Sequence, residues 1–304
     1  MDWPSYNRSL VRRGETLFSY DFLDTWDSEL ARMNENKKGR PYYFPEPFIL
    51  VIGYMRSYFH LPYRQTEGII KATGKSLPRH PSYGHICKRI NNLKVDIFNS
   101  GIVTGGDGDG GDHLTIAIDS TGIKVTNRGQ WMSGKWGAKN KRKKGYLKIH
   151  VAVNVKTREI LALEVTDERV HDGKVMDKLL KHVLKINDNG HAIKIKSVLA
   201  DGAYDSNENF KCLEENKIQP GIRVRKNSII SSKNASSRNK EARSQKDFPR
   251  WRKKRKYGKR LVAETAFSSL KRTYGEHVSA TRFQNMVKEM VLKVSLYNLF
   301  TRLA

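Results

Sequence analysis

Residues 146–166, YLKIHVAVNVKTREILALEVT, decide the fold. Apolar residues recur at strand spacing on both sides of Lys156–Thr157, a polar pair that suits a tight turn. The stretch therefore reads as two strands joined in a hairpin. Upstream, HLTIAID (113–119) alternates Leu114, Ile116 and Ile118 and supplies another strand. Downstream, DGKVMDKLLKHVLKI (172–186) has helical spacing, IKIKSVLAD (193–201) is a strand with an apolar end, and NENFKCLEENK (207–217) is again helical. QPGIRVR (219–225) is a short strand, followed by a helix over 257–271 and a last helix, MVKEMVLKVSLYNLF (286–300). Three strands, then helix, strand, helix, strand and helix, make a mixed α/β sheet.

Composition narrows the partners. The chain has 304 residues, with 57 Lys and Arg against 31 Asp and Glu, a formal charge of +26. Such an excess points to a polyanion, with nucleic acid first and an acidic membrane surface second. No apolar run approaches the ~18 residues that would span a bilayer. The basic runs also lack the amphipathic apolar stretches of a membrane-surface helix. The N-terminus lacks the apolar core of a signal peptide, and Cys87 and Cys212 show neither metal spacing nor a disulfide framework. The expected location is the cytoplasm, with no membrane partner. The charge is concentrated: residues 139–148 carry six bases and no acid, and residues 221–260 carry sixteen bases against Glu241 and Asp247. Within the second run, 225–256 reads as a basic loop that holds DNA backbone through Arg252, Lys253, Lys254 and Arg255.

The N-terminal part has a different grammar. Residues 1–44 read as an arm with one short helix. Residues 45–104 hold three short helices, broken at Leu61–Pro62 and between Pro78 and Pro81. Three such helices with basic ends form either a helix-turn-helix that binds DNA or a plain packing cluster. TGGDGDGGDH (104–113) is a Gly/Asp linker. Its formal GxGxxG at Gly106, Gly108 and Gly111 precedes no helix, so it fails as a dinucleotide motif, and it lacks the calcium-loop pattern.

Three carboxylates carry the chemistry. Asp119 and Asp201 each close an apolar strand. A carboxylate there is costly unless exposed, paired or bound to a cation. Either one alone also suits a turn or cap. The third is Glu264, in YGKRLVAETAFSSLK (257–271). At roughly 100° per residue, Tyr257, Arg260, Glu264 and Lys271 share one helical stripe, with Val262, Ala263, Ala266, Phe267 and Leu270 on the other side. Taken together the three acids suit hard Mg²⁺ or Mn²⁺, and paired ions of that kind activate an attacking oxygen and stabilise the leaving oxygen of a phosphodiester.

The chain resembles the DDE transposases of prokaryotic insertion sequences. Its Tyr257, Arg260, Glu264 and Lys271 keep the spacing of the family's Tyr-Arg-Glu-Lys signature, and IDSTGIKV and ADGAYD match the family's first and second Asp motifs. The resemblance also includes KIHVAVNVKTREILALEVT followed by VHD, and the N-terminal YRQTEGIIKATG and SYGHICKRI. It implies a ribonuclease-H-like mixed α/β catalytic core over 112–304, behind the N-terminal helical DNA-binding region. It implies Asp119, Asp201 and Glu264 as catalytic metal ligands for Mg²⁺, with Mn²⁺ able to substitute. Arg260 and Lys271 would engage phosphates, and Tyr257 a phosphate or sugar. The implied activity is hydrolysis at the element ends, then attack of the freed 3′-OH on target DNA. The implied partners are double-stranded DNA, both terminal inverted repeats and target, with a dimer on the DNA and a nucleoid-associated location. Two alternatives share these residues: a metal-dependent nuclease or resolvase that cuts without joining, and a non-catalytic DNA-binding protein derived from a transposase.

Other residues stay open. Asp205 reads as a cap or turn residue. His171 and Asp172 of VHD have either a site-orienting or a structural role, and Trp131 and Trp136 either a core or a base-stacking one. Cys87 and Cys212 read as small buried hydrophobes.

Overall fold

The computed structural model describes residues 2–73, 77–97, 113–125, 146–188, 191–192, 194–225, 228 and 236–303. The Gly/Asp linker up to residue 112, Trp131, Trp136 and the bases at 139–144 lie outside the described residues. The chain divides into two compact units: Met1–Asn99 with Ala280–Ala304, and Ser100–Ser279. Among the described residues no helix is long and apolar enough to cross a membrane.

The first unit begins with α1 (Trp3–Leu17) and α2 (Trp26–Asn34). The expected arm is thus largely helical, and its aromatics are anchored. Phe22, Trp26, Phe44 and Phe48 are buried against one another, with ring centroids 5.1–6.3 Å apart. The three expected short helices follow as α3 (Glu46–Tyr58), α4 (Tyr63–Thr73) and α5 (Tyr83–Asn92). Pro62 precedes α4, where its fixed φ suits a helix start.

The second unit is built on the hairpin of β2 (Tyr146–Asn154) and β3 (Ile160–Asp167), to which β1 (His113–Lys124) adds antiparallel to β2. The turn is set locally. Asn154 Oδ1 accepts the Lys156 amide at 2.8 Å, and Arg158 takes a left-handed φ of 65°. Next come α6 (Met176–Leu184) and a two-residue ribbon, β4 (Asn187–Asp188) with β5 (His191–Ala192). Strand β6 (Lys194–Ala200) then pairs parallel to β1, α7 (Asn207–Glu215) follows, and β7 (Gln219–Ile222) pairs parallel to β6. The sheet order is β3-β2-β1-β6-β7, a ribonuclease-H-like mixed sheet as expected. Val151, Ala152 and Val153 are consecutive in β2 and all buried, so both faces of the sheet centre are covered. Helix α6 packs on β2 and β3, and α10 (Leu261–Tyr274) on β1 and β2.

Between them, two further helices change the picture of residues 225–256. The stretch expected to be a loop is helical over α8 (Ser237–Ser244) and α9 (Phe248–Lys254). Both are capped, by Ser236 Oγ on Asn239 N and by Asp247 on Arg250 N, which explains how so polar a sequence holds helices.

The last helix, α11 (Phe283–Arg302), groups with the first unit, and in sequence it lies within the 112–304 stretch expected to be the catalytic domain. It buries Met286, Met290, Leu292, Val294, Leu296, Tyr297 and Phe300, more apolar surface than one stripe holds, and packs on α3 and α5. Tyr54 and Ser295 exchange a hydroxyl hydrogen bond at 2.7 Å across α3 and α11.

At the sheet edge, β7 tolerates Pro220 because an edge strand can spare an amide. Its neighbour Gly221 is there for space. A Cβ would stand 2.5 Å from Leu199 Cδ2 and 3.0 Å from the Val198 carbonyl. Gly221→Val is expected to overpack this contact and cost about 1–3 kcal/mol. A thermal midpoint equal to wild type would show that β7 is free to shift.

Candidate active site

The parallel register of β1 and β6 pairs Ile118 with Ala200. The next residues on the two strands are Asp119 and Asp201, so the two acids are brought side by side by backbone pairing. Asp201 caps the 3-10 turn Gly202–Tyr204, its Oδ1 accepting the Ala203 amide at 2.8 Å. Asp119 Oδ1 accepts the Ser120 amide at 2.9 Å. Glu264 lies in the first turn of α10, packed on β1 through Ala263, Ala266, Phe267 and Leu270. Val262 is only half-buried, unlike the expectation.

Residues 257–260 form a 3-10 turn ahead of α10, so the single expected helical stripe does not begin at Tyr257. Asp119, expected to close its strand, lies inside β1, which stays paired with β2 as far as Lys124. The signature residues meet β1 and the end of β6 one by one. Tyr257 Oη donates to the Ala200 carbonyl at 3.3 Å, and its ring packs 4.9 Å from that of Trp251. Arg260 donates through Nη1 to Asp119 Oδ2 at 3.1 Å and through Nη2 to Glu264 Oε1. Lys271 Nζ donates to Thr121 Oγ1 at 2.8 Å. All three were expected at DNA. Here they hold the 257–271 segment onto β1 and β6.

The electrostatics follow from this convergence. Burial raises the proton affinity of Asp119. The Ser120 amide and Arg260 oppose that rise, and the charges of Asp201 and Glu264 add to it. Burial works against the charge on Arg260, yet Asp119 and Glu264 leave it more firmly protonated than usual. Burial also raises the Tyr257 hydroxyl, with Arg260 opposing and Asp201 and Asp119 reinforcing. Among the described residues no group of three His, Cys, Asp or Glu forms a ready metal cage. The cation among these acids is the Arg260 guanidinium. The donor chemistry still fits a hard divalent ion: adjacent oxygen ligands, one of them partly buried and crowded by like charge.

Sequence reasoning singled out Asp172 but not Lys148, His150 and Tyr204, the polar groups that gather around it. Lys148 and Asp172 form an ion pair at 2.6 Å, and His150 Nδ1 stands 3.5 Å from the same Asp172 oxygen. His150 Nε2 bonds Thr166 Oγ1 at 2.9 Å. The buried Tyr204 hydroxyl senses Asp172, Asp119 and Asp201, and burial first, then those charges, raises its proton affinity. The available signal was a Lys and a His at alternate positions of an otherwise apolar strand. Nearby, His171 Nε2 lies 3.3 Å from Arg225 Nη2, and Asp205 holds Arg238 at 2.7 and 2.9 Å. Asp205 thus anchors the start of α8 rather than merely closing a turn. Cys87 and Cys212 are half-buried, not fully so.

The basic run also sorts itself. Arg252, Lys253 and Lys254 are exposed on α9. Arg255, expected at phosphate with them, is instead paired with the buried Glu241 at 2.7 and 2.8 Å, beside the Trp251 indole that bonds the same carboxylate.

A family profile described as "Transposase DDE domain" matches residues 110–299, and a second profile of the same description matches residues 11–128. Among solved structures, the chain is similar to a piggyBac transposase synaptic complex with hairpin DNA: 11% identity over 96% of this chain and 74% of that one, at a TM-score of 0.43. It is also similar to a Drosophila P element transposase strand transfer complex: 10% identity over 91% and 69%, at a TM-score of 0.31. Both likenesses are distant.

Two measurements check the electrostatics. Arg260→Gln is expected to raise the titration midpoint of Asp119 further, followed by carboxyl-carbon NMR; an unmoved midpoint would remove Arg260 as its counter-charge. Burial lowers His150 from 6.5 to about 4, against which Asp172 raises it. A base with a depressed folded value binds protons more readily when unfolded. Its contribution is therefore full above pH 6.5 and lost as the pH falls toward about 4. The loss is up to about 3 kcal/mol. Denaturation midpoints across that window should fall in wild type and flatten in His150→Asn, and equal acid limbs would exclude His150.

Proposed function

The chain belongs to the transposase DDE-domain family, and from that premise we propose that Asp119, Asp201 and Glu264 are its catalytic carboxylates. The observation that carries this reading is the β1–β6 register, which sets Asp119 beside Asp201, with Glu264 joined to Asp119 through Arg260. These three oxygen ligands would hold Mg²⁺, with Mn²⁺ able to substitute. When bound, such ions activate the attacking oxygen and stabilise the leaving oxygen.

The substrate is double-stranded DNA. Water attacks a phosphodiester at the element end and the 3′-oxygen leaves. The freed 3′-OH then attacks a target phosphodiester, whose own 3′-oxygen leaves. The spacing of Tyr257, Arg260, Glu264 and Lys271 supports an insertion-sequence transposase of the Tyr-Arg-Glu-Lys type. Arg260 bonds Asp119 and Glu264, Lys271 bonds Thr121 two residues after Asp119, and each can exchange its present partner for a phosphate oxygen at the reacting strand. Tyr257, turned inward, positions the strand end that carries Asp201. Arg252, Lys253 and Lys254 hold the backbone without reading sequence, whereas Arg255 stays with Glu241. The N-terminal helices contribute to recognition of the terminal inverted repeats, and the acting form on DNA is a dimer.

Asp119→Ala, Asp201→Ala and Glu264→Ala are each expected to abolish strand cleavage while keeping most DNA binding. A variant that cleaves at near wild-type rate in Mg²⁺ would lose its place in the site. Wild type that cuts but never joins ends would mark the nuclease alternative, and binding without cutting the non-catalytic one. Replacing Arg252, Lys253 and Lys254 with Gln should weaken cognate and random duplexes equally. The slope of log affinity against log salt should become shallower by up to about 3 units, at ~0.9 per phosphate. An unchanged slope would leave these residues as a solvated face.

A further inference from the structure

The first unit contains a cavity of about 590 Å³ between the segment from Lys37 to Glu46 and the face of α5 that carries Gly84, His85, Lys88 and Arg89. Its charged lining is one-sided: Lys37, Arg40, Lys88 and Arg89 against Glu46 alone. None of these four cations takes part in an ion pair among the described residues. Three of them rest instead on aromatic rings. Lys37 Nζ is 4.8 Å and Arg89 Cζ 4.4 Å from the Tyr42 ring centroid, and Arg40 Cζ is 5.5 Å from that of Tyr43. A cation over a ring is positioned without being neutralised.

Arg89 gives the strongest sign. It is 8% exposed, and its Nη1 is buried with no hydrogen-bond partner among the described residues. A buried guanidinium N–H without an acceptor is unfavourable, and a shift of the side chain toward a ligand oxygen in the cavity would relieve it. The first turn of α5 adds to the same field. Gly84 and His85 line the cavity near the helix start, where the macrodipole favours an anion, with the Tyr83 and His85 amides themselves already bonded to Glu67 Oε2 and Ser82 Oγ. His85 reports that field: burial, and then the charges of Arg89, Arg40 and Lys88, all lower its proton affinity. The volume lies in the usual range of ligand pockets, about 300–1,000 Å³, and exceeds what a lone phosphate needs. Cations cover the Tyr42 and Tyr43 rings, so base stacking is not what the cavity offers.

We propose that this cavity binds a backbone phosphate of DNA, with Arg89, Lys88 and Arg40 as donors and the adjoining sugar filling the remaining space. The proposal rests on DNA being the substrate. It adds a phosphate site in the first unit, whereas the catalytic residues named above belong to the second.

The test uses the full chain. A Cβ at Gly84 would meet nothing within 4 Å, so Gly84→Leu fills the cavity without a steric clash on α5. Lys88→Gln removes one donor, and Arg89→Gln removes the buried one. Inorganic pyrophosphate should raise the thermal midpoint of wild type above that in sodium chloride of equal ionic strength. Gly84→Leu and Lys88→Gln should lose that rise. On a random-sequence duplex, the same two variants should bind with a salt slope shallower by about 0.9 for one lost phosphate contact. A pyrophosphate response lost with an unchanged DNA slope would reassign the cavity to a free anion and overturn the DNA source. Variants that keep both responses would overturn the anion site itself. Wild type that responds to pyrophosphate but binds no duplex would overturn the DNA-substrate reading and leave the anion chemistry standing.

Discussion

Two carboxylates placed side by side, Asp119 within β1 and Asp201 just past the end of β6, demand a cation. Asp119 and Asp201 are in that position because β1 and β6 pair in parallel with Ile118 opposite Ala200. Burial and the neighbouring acids both penalise the charge on Asp119. Arg260 answers that demand, and in doing so brings Glu264 to the same place. In the proposed reaction a divalent ion meets the demand, and the guanidinium becomes available to a phosphate. One electrostatic requirement thus ties the third acid to the other two and gives Arg260 two roles.

The segment that carries Glu264 is held along the strands by its own signature. Tyr257 bonds Ala200, the residue before Asp201, and Lys271 bonds Thr121, two residues after Asp119. Between these ties, Ala263 and Ala266 are the small buried residues through which α10 faces the sheet. Small side chains let helix and strand approach closely, which is how an acid in the first helical turn is brought to β1. The spacing Tyr, Arg, Glu, Lys can therefore be understood as a geometric match between a 3-10 turn with its helix, the middle of β1 and the end of β6.

The charge of +26 is not one undifferentiated surface. Arg238, Arg255 and Arg260 are bound to Asp205, Glu241 and Asp119 and hold the second unit together. Arg252, Lys253 and Lys254 face solvent on α9. In the first unit, Lys37, Arg40 and Arg89 lie on tyrosine rings and keep their charge open around a cavity. Cations bonded to carboxylates contribute mainly to structure. Those on rings or in solvent remain available to a polyanion.

Local order was legible in the sequence. The hairpin of 146–166, the apolar strand segments that lead into Asp119 and Asp201, and the apolar face of the helix that carries Glu264 all follow from periodicity, a property of neighbours along the chain. The expected strand end at Asp119 did not hold, because β1 stays paired with β2 as far as Lys124. What needed the tertiary structure was every pairing between distant residues. The sequence shows sixteen bases in 221–260 but not that Arg255 meets Glu241 or Arg238 meets Asp205, since a base run looks the same with its charges free or paired. It shows a C-terminal helix but not that α11 packs with α3 and α5, because an apolar face names no partner. Tyr257 was expected outward, on a helical stripe. A 3-10 turn and the Ala200 carbonyl turn it inward. Periodicity is decided within a few residues, whereas strand register and the choice of counter-ion are decided by the whole packed chain.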